Sequence, residues 1–294
     1  MEHTLTLIAP QGTGALTDAL VARVREAVAG GPAVTLSPGE AADIPCPTLP
    51  DPDQVHAALD AAPVDAVVTP AANRRKRLLV ADMDSTIVTT ETLDELAAYA
   101  GLGEQVAAIT RRSMNGEIDF AEALRHRVGL LRGLRLSALE ETWAATHLMP
   151  GARELVATMR AHGATTALVS GGFTFFTGRV AGILGFDHHR ANVLLDDGAA
   201  LLGTVGEPIL DRNAKLAALH EFAAAAGVGM ADALVVGDGA NDLAMIRAAG
   251  LGVAYHAKPV VAAEASARIE HAGLRALLFI QGYPASSFVD VENQ

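Results

Sequence analysis

Short apolar runs that stop abruptly on a polar residue set the rhythm of most of this chain. Leu78–Ala81, residues 165–169, residues 234–236 and Leu251–Tyr255 are such runs, rich in Leu and β-branched residues. Between them, Ala152–Ala161 and residues 215–226 and 243–249 carry apolar positions at helical spacing. Apolar strands alternating with helices predict a parallel α/β sheet covered on both faces. Residues 93–146 break the rhythm. There 93–100, 104–114, 120–131 and 136–146 all read as helices with no strand between them, a helical insertion behind the first strand. Residues 193–202, around Asp196-Asp197-Gly198, read as a hairpin because Asp-Gly supports a tight turn.

The first 74 residues follow a different pattern. Residues 4–8, 33–36 and 65–69 read as strands, and 16–28 and 53–61 as helices. Residues 37–52 are rich in proline and give no strand signal. The result is a small α+β unit of ferredoxin-like type. Residues 71–76 (AANRRK) are polar and basic and read as a solvated joint. The boundary is placed there. Two domains follow: a small one over 1–74, and an α/β domain over 75–294 with the helical insertion at about 91–149.

Composition narrows the field. The chain's 294 residues suit about two domains, and a 50% hydrophobic content excludes wholesale disorder. With 22 Lys and Arg against 34 Asp and Glu, the net charge of −12 argues against a nucleic-acid binder, which must neutralise phosphates. A single cysteine, Cys46, leaves no internal disulfide and no Cys-rich zinc site. The opening MEHTLTLIAP lacks a basic stretch followed by a long apolar one, so no secretory signal is expected. No run approaches the ~20 apolar residues of a membrane span. The reading is a soluble, cytoplasmic protein with no nucleic-acid or membrane partner.

Three of the strands run into chemistry. The first meets Asp82-Met83-Asp84-Ser85-Thr86, the next Ser170-Gly171-Gly172, and a later one Gly237-Asp238-Gly239. Ligands of parallel sheets bind at the carboxyl ends of strands, so these termini can share one crevice. Clustered carboxylates repel one another unless a cation sits among them. Hard oxygen donors without a His or Cys cluster favour Mg²⁺. Lys215, one of three lysines, opens a helix and offers a point charge for phosphate. Ser170 with the N–H groups of Gly171 and Gly172 can cradle an anion. A cation, an ammonium and such a cradle suit a phosphoryl group. Rival motifs fail: no lysine precedes Ser or Thr as in a Walker A loop, Ser170 lacks the glycine of a nucleophile elbow, and there is no HExxH. Without a convincing Cys or Ser, a carboxylate is the best nucleophile.

These residues resemble the four motifs of the haloacid-dehalogenase-like superfamily: Asp82 to Thr86, Ser170 to Phe173, Lys215, and Gly237-Asp238-Gly239-Ala240-Asn241-Asp242. Residues 82–91, 94–97, 114–120, 124–128 and 252–259 extend the likeness to the phosphoserine phosphatase family, over roughly residues 78–283. The resemblance implies a Rossmann-like parallel sheet with a helical cap and hydrolysis of O-phospho-L-serine to L-serine and phosphate, the last step of phosphorylated serine biosynthesis. It implies Asp82 as nucleophile, forming an aspartyl-phosphate, and Asp84 as general acid and then base. Mg²⁺ would rest on the Asp82 carboxylate, the Asp84 backbone carbonyl and the Asp238 carboxylate. Ser170, Gly171 and Lys215 would hold the phosphoryl oxygens, with Asn241 near the phosphate and Asp242 orienting Lys215 or a metal-bound water. In the cap, Glu91 and Arg127 would contact substrate, and Met114 and Phe120 would pack over it.

A carboxylate such as Glu91 suits the ammonium of phosphoserine, and a guanidinium such as Arg127 suits its carboxylate through bidentate hydrogen bonds, in keeping with what the resemblance implies. Longer relatives of the family carry ACT-like regulatory domains in front, and the first 74 residues have room for one. A homodimer is compatible with this reading. Two alternatives stay open: a same-fold phosphatase or phosphotransferase for another small phosphomonoester such as phosphohomoserine, and an inactive amino-acid-sensing module.

Overall fold

A computed structural model describes residues 2–114 and 117–290, with only the backbone of Met114. The amino-terminal unit comprises β1 (His3–Ile8), α1 (Asp18–Ala27), β2 (Val34–Ser37), β3 (Ala41–Cys46), α2 (Pro52–Leu59) and β4 (Asp65–Pro70). Its sheet has the order β2-β3-β1-β4 with antiparallel pairings throughout. That is the ferredoxin-like arrangement. The strand β3 falls within the stretch that showed no strand pattern. Pro45 is accommodated because the ladder of β3 with β2 stops at Asp43; beyond it, on that edge, the Pro45 carbonyl accepts from the Gly31 N–H at 2.8 Å, so no donor is asked of the proline. One face of this sheet places Leu5, Leu7 and Ile44 against Leu20, Val24 and Val55 of the two helices.

The larger unit holds β5 (Leu78–Ala81), the helices α3 (Thr92–Tyr99), α4 (Gly103–Met114), α5 (Phe120–Leu130), α6 (Ser137–Ala145) and α7 (Ala152–Ala161), then β6 (Thr165–Phe173), α8 (Thr174–Leu184) and β7 (His188–Asn192). The hairpin β8 (Leu194–Asp196) and β9 (Leu201–Val205) follows, and then α9 (Arg212–Ala226), β10 (Ala233–Gly237), α10 (Leu243–Ala248), β11 (Leu251–Tyr255), α11 (Pro259–Ala262), β12 (Ala267–Ile269) and α12 (Ala276–Ile280). Six parallel strands form one sheet in the order β12-β11-β10-β5-β6-β7. The chain leaves β5 toward β6 and returns to β10 on its other side. The crevice at that reversal lies beside β5, where open α/β sheets bind ligands.

Alternate residues of β5 serve two cores. Leu79 and Ala81 join Leu155, Phe176 and Leu277 on one face, whereas Leu78 and Val80 join Ala218, Leu219 and Phe222 of α9 on the other. Burial on both faces is why these strands read as unbroken apolar runs. The helices α3 to α6 stand between β5 and α7 as a cap. A bridge between Val88 and Leu148 draws its two connecting segments together. Among the described residues no helix is long and apolar enough to cross a membrane.

The basic joint is not a solvated linker. Arg74 donates to both carboxylate oxygens of Asp43 at 2.6 and 3.0 Å and to the carbonyls of Phe279 and Ile280. Lys76 is buried, its ammonium on the carbonyls of Asn73 and Ala231. Ile8, Leu36, Ala41 and Val67 of the small sheet belong to the main core of the larger unit. Arg74 and Lys76 thus form a polar rivet through an apolar interface, whereas Arg75 is exposed, its guanidinium over the Tyr283 ring.

Candidate active site

The strands β10, β5 and β6 are neighbours, so the segments that follow their carboxyl ends converge. Asp82 extends β5, its N–H donating to the Val236 carbonyl of β10 at 3.0 Å. Asp238 follows β10, and Ser170 lies within β6. Lys215 approaches from the first turns of α9, a helix capped by Asp211, whose side chain accepts from the N–H groups of Asn213 and Ala214.

The lysine is 1% exposed and stands between two carboxylates, 2.8 Å from Asp82 Oδ1 and 2.7 Å from Asp242 Oδ1. Burial opposes its charge, but Asp242 and Asp82 outweigh that penalty and hold its pKa above the ordinary lysine value. Lys215 therefore stays an ammonium.

Asp84 does something different. Its Oδ1 accepts from the Thr92 N–H at 2.8 Å and its Oδ2 from Ser170 Oγ at 3.1 Å. Burial, then the charges of Glu91 and Asp82, push its pKa up to about 7. A carboxyl poised near neutrality can both give and take a proton. The Asp238 carboxyl is raised to about 6 by burial and by Asp82 and Glu91, against the pull of Lys258 and a 3.2 Å hydrogen bond from Thr86.

Oxygens of Asp82, Asp238 and Asp242 lie within 4.8 Å of one another. Three carboxyl groups face one contacting ammonium, Lys215, which meets Asp82 and Asp242 but not Asp238, so the cluster has a cation deficit. Oxygen donors at this spacing fit a hard divalent ion.

The loop after β6 packs tightly around the reacting groups. A Cβ at Gly172 would sit 2.7 Å from Asp84 Oδ2 and 3.1 Å from Ser170 Oγ, so only glycine allows this approach. Gly172 N–H in turn donates to Ser170 Oγ at 2.8 Å. Above Gly171 lies Phe120 at the start of α5, with Cζ 3.2 Å from where a Cβ would be. Asn241 is half-buried in the turn after β10, its side-chain oxygen against Gly239.

Two cap residues are electrostatically linked to this cluster: Glu91 feels the Asp82 charge, and Arg127 feels Glu91. Glu91 immediately precedes α3 and accepts from Ser85 Oγ at 2.9 Å; the residue is exposed, yet desolvation of its carboxyl on the inner side raises its pKa, with Asp82 and Asp94 adding to the effect. Arg127 on α5 is partly buried, which lowers its pKa, while Asp94 and Glu91 support its charge. The side chain of Met114 lies outside the described residues. One contributor carries no sequence signal of its own, Thr92, which acts through a backbone N–H; Thr86 and Ser85, the latter held at φ 54°, stand inside the motif that follows the first strand, without a role assigned to them there.

A haloacid dehalogenase-like hydrolase model matches residues 76–250. The chain belongs to that family. Within it, the chain is similar to the phosphoserine phosphatase of Archaeoglobus fulgidus, 42% identical over 224 residues that cover 76% of this chain and 65% of that one. It is also similar to the phosphoserine phosphatase of Streptomyces coelicolor, 43% identical over 218 residues covering 74% and 53%. The matched stretch thus spans about half to two thirds of these relatives' own length. Among solved structures, an unliganded probable phosphoserine phosphatase from Vibrio cholerae superposes with a TM-score of 0.81 at 32% identity, covering 97% of this chain and 88% of that one.

Proposed function

We propose that the chain is a Mg²⁺-dependent phosphoserine phosphatase, hydrolysing O-phospho-L-serine to L-serine and phosphate as the last step of phosphorylated serine biosynthesis in the cytoplasm. The observation that carries this reading is the placement of Asp82, Asp84, Ser170, Lys215 and Asp238 in one crevice, beneath a cap bearing Glu91 and Arg127. A phosphoserine phosphatase has been solved with its substrate bound, and that chain matches 70% of this one at 37% identity.

An Asp82 oxygen attacks phosphorus, and the bond to the seryl oxygen breaks. The carboxylic acid of Asp84 gives that oxygen its proton. Asp84, now a carboxylate, takes a proton from water as the water oxygen attacks the aspartyl-phosphate. The P–O bond to Asp82 breaks, phosphate leaves and both residues return to their starting states. Ser170 Oγ, the Gly171 N–H and Lys215 hold the phosphoryl oxygens, with Asn241 at the edge of that group and Asp242 orienting the lysine. The Asp82 and Asp238 carboxylates and the Asp84 backbone carbonyl would hold Mg²⁺, which offsets charge on the phosphoryl oxygens when bound.

In the cap, Glu91 takes the substrate ammonium and Arg127 its carboxylate, while Phe120 and Met114 cover the serine carbon chain. Residues 1–74 form an ACT-like regulatory unit packed on the catalytic unit of residues 75–294, whose cap spans about 91–149. The test is phosphate release from a panel containing phosphoserine, phosphohomoserine and p-nitrophenyl phosphate, in Mg²⁺ and after EDTA. Mg²⁺-restored activity with phosphoserine far ahead is expected. Preference for another ester overturns the substrate, and full activity after exhaustive chelation overturns the metal.

A further inference from the structure

We propose that Asn192 is a positioning residue for phosphoryl transfer, locking the turn that cradles the phosphoryl group to the segment that carries Lys215. This rests on the phosphatase reading above. Asn192 closes β7 and is 2% exposed. Its amide is engaged at both ends: Nδ2 donates to the Gly171 carbonyl at 2.8 Å, and Oδ1 accepts from the Leu210 N–H at 2.7 Å. Only one orientation of the amide serves both partners, since the reverse would set oxygen against oxygen and N–H against N–H.

One peptide carries the consequence to the reacting groups. The Gly171 carbonyl and the Gly172 N–H belong to a single trans peptide and point in opposite directions. With the carbonyl held by Asn192, the N–H is aimed at Ser170 Oγ, to which it donates, and Ser170 Oγ donates onward to Asp84. At its other end Asn192 holds Leu210, next to Asp211, the residue that caps α9 and accepts from the Lys215 N–H through its own carbonyl. Asn192 touches no reacting atom. It sets the separation between two elements that must grip the same phosphoryl oxygens.

Two substitutions test this. Asn192→Asp is isosteric and keeps the acceptor for Leu210, but turns a carboxylate oxygen toward the Gly171 carbonyl. Asn192→Ser introduces no charge, is too short to reach both partners, and supplies the readout if the aspartate variant does not fold. The Mg²⁺-loaded full chain is assayed for kcat and KM with phosphoserine, for affinity to orthovanadate, a five-coordinate phosphoryl mimic, and for Tm. A misplaced cradle is expected to lower kcat about ten- to a hundredfold. KM, set largely by the cap, should move less than about threefold. Vanadate affinity should weaken in step with kcat. A folded variant with wild-type kcat and vanadate affinity overturns the assignment. So does a loss of kcat that disappears once corrected for the folded fraction. Failure of the phosphatase reading looks different, as a wild-type chain that neither releases phosphate nor binds vanadate.

Discussion

Lys215 Nζ stands 2.8 Å from Asp82 Oδ1, in a pocket where the ammonium is almost wholly removed from water. The same ammonium contacts Asp242, so one buried cation is shared by two buried carboxyl groups. Removing a partner from such a set leaves charge uncompensated, which typically destabilises by about 3–5 kcal/mol. Lys215→Met is therefore expected to lose stability of that order in urea unfolding without metal. Turnover should fall by about two to three decades or more, the usual result of removing a donor from developing phosphoryl charge. An unchanged unfolding midpoint would show that the carboxylates do not depend on this lysine.

The Asp84 carboxyl makes the metal-free protein sensitive to pH. Its folded-state pKa of about 7 lies above the ordinary aspartate value because of burial and the Glu91 and Asp82 charges. Between about pH 4 and 7 the folded state holds a proton that the unfolded state has released. Stability from this group is complete below the unfolded pKa and is lost as pH rises through the folded one. Asp238, raised to about 6, acts in the same direction. The Tm of chelated wild type should fall from pH 4.5 to 7.5 more steeply than that of Asp84→Asn. Equal slopes would contradict the raised pKa. Asp84→Asn should also lose about two to four decades in kcat, as loss of a proton-transfer group does.

Asp65 sits at the start of β4, and its side chain accepts from the N–H groups of Glu270, His271 and Ala272 on the larger unit at 2.8 to 3.2 Å. It sits in a backbone nest, across the interface that Arg74 also ties through the Phe279 and Ile280 carbonyls. Asp65→Leu leaves those donors unsatisfied, at a cost of about 1–3 kcal/mol. Protection of the amides of residues 270–272 against hydrogen exchange should drop, while kcat stays near wild type because every proposed reacting residue lies after residue 76. Loss of kcat with an intact Tm would instead make the small unit part of the catalytic machinery.

What the chain revealed in advance follows burial. Strands such as β5 and β10 lie inside the sheet with both faces covered, so nearly every residue is apolar and the run is visible by itself. The strand β7, HHRAN, lies on the sheet edge with its first two residues exposed, and carries no such run. β3 was hidden by Pro45 and by Asp43, whose polarity makes sense only once Arg74, 31 residues away, is seen to meet it. The same limit explains the joint: local sequence cannot distinguish a solvated arginine from one that closes an interface. Asp82, Asp84, Ser170, Lys215 and Asp238 were visible because each stands in a motif that ends a strand or opens a helix. Thr92 and Asn192 were not, because one acts through its backbone and the other by bridging two loops remote in the chain.

Substrate choice is expected to reside in the cap. Asp82, Asp84, Ser170, Lys215 and Asp238 address a phosphoryl group and its leaving oxygen, which every phosphomonoester has. Among the described cap residues, Glu91 and Arg127 offer opposite charges to a zwitterion; Glu91 is exposed and Arg127 half-buried, so a bound substrate would complete their desolvation. Among the described residues, the hydrogen bond of Arg127 is a 3.3 Å contact from Nε to the Ala123 carbonyl of its own helix, which leaves the two terminal nitrogens of its fork for a carboxylate. Truncating one partner of a desolvated, hydrogen-bonded charge pair costs about 2–5 kcal/mol. At roughly 1.36 kcal/mol per decade, Arg127→Ala should lower kcat/KM for phosphoserine by about one and a half to three and a half decades. Hydrolysis of p-nitrophenyl phosphate, which lacks the zwitterion, should fall far less. Assaying both on one preparation controls for damage to the core, which would depress the two together. An equal fall for both substrates, or an untouched rate with phosphoserine, would remove Arg127 from substrate recognition and leave Glu91 without a complementary partner in the cap.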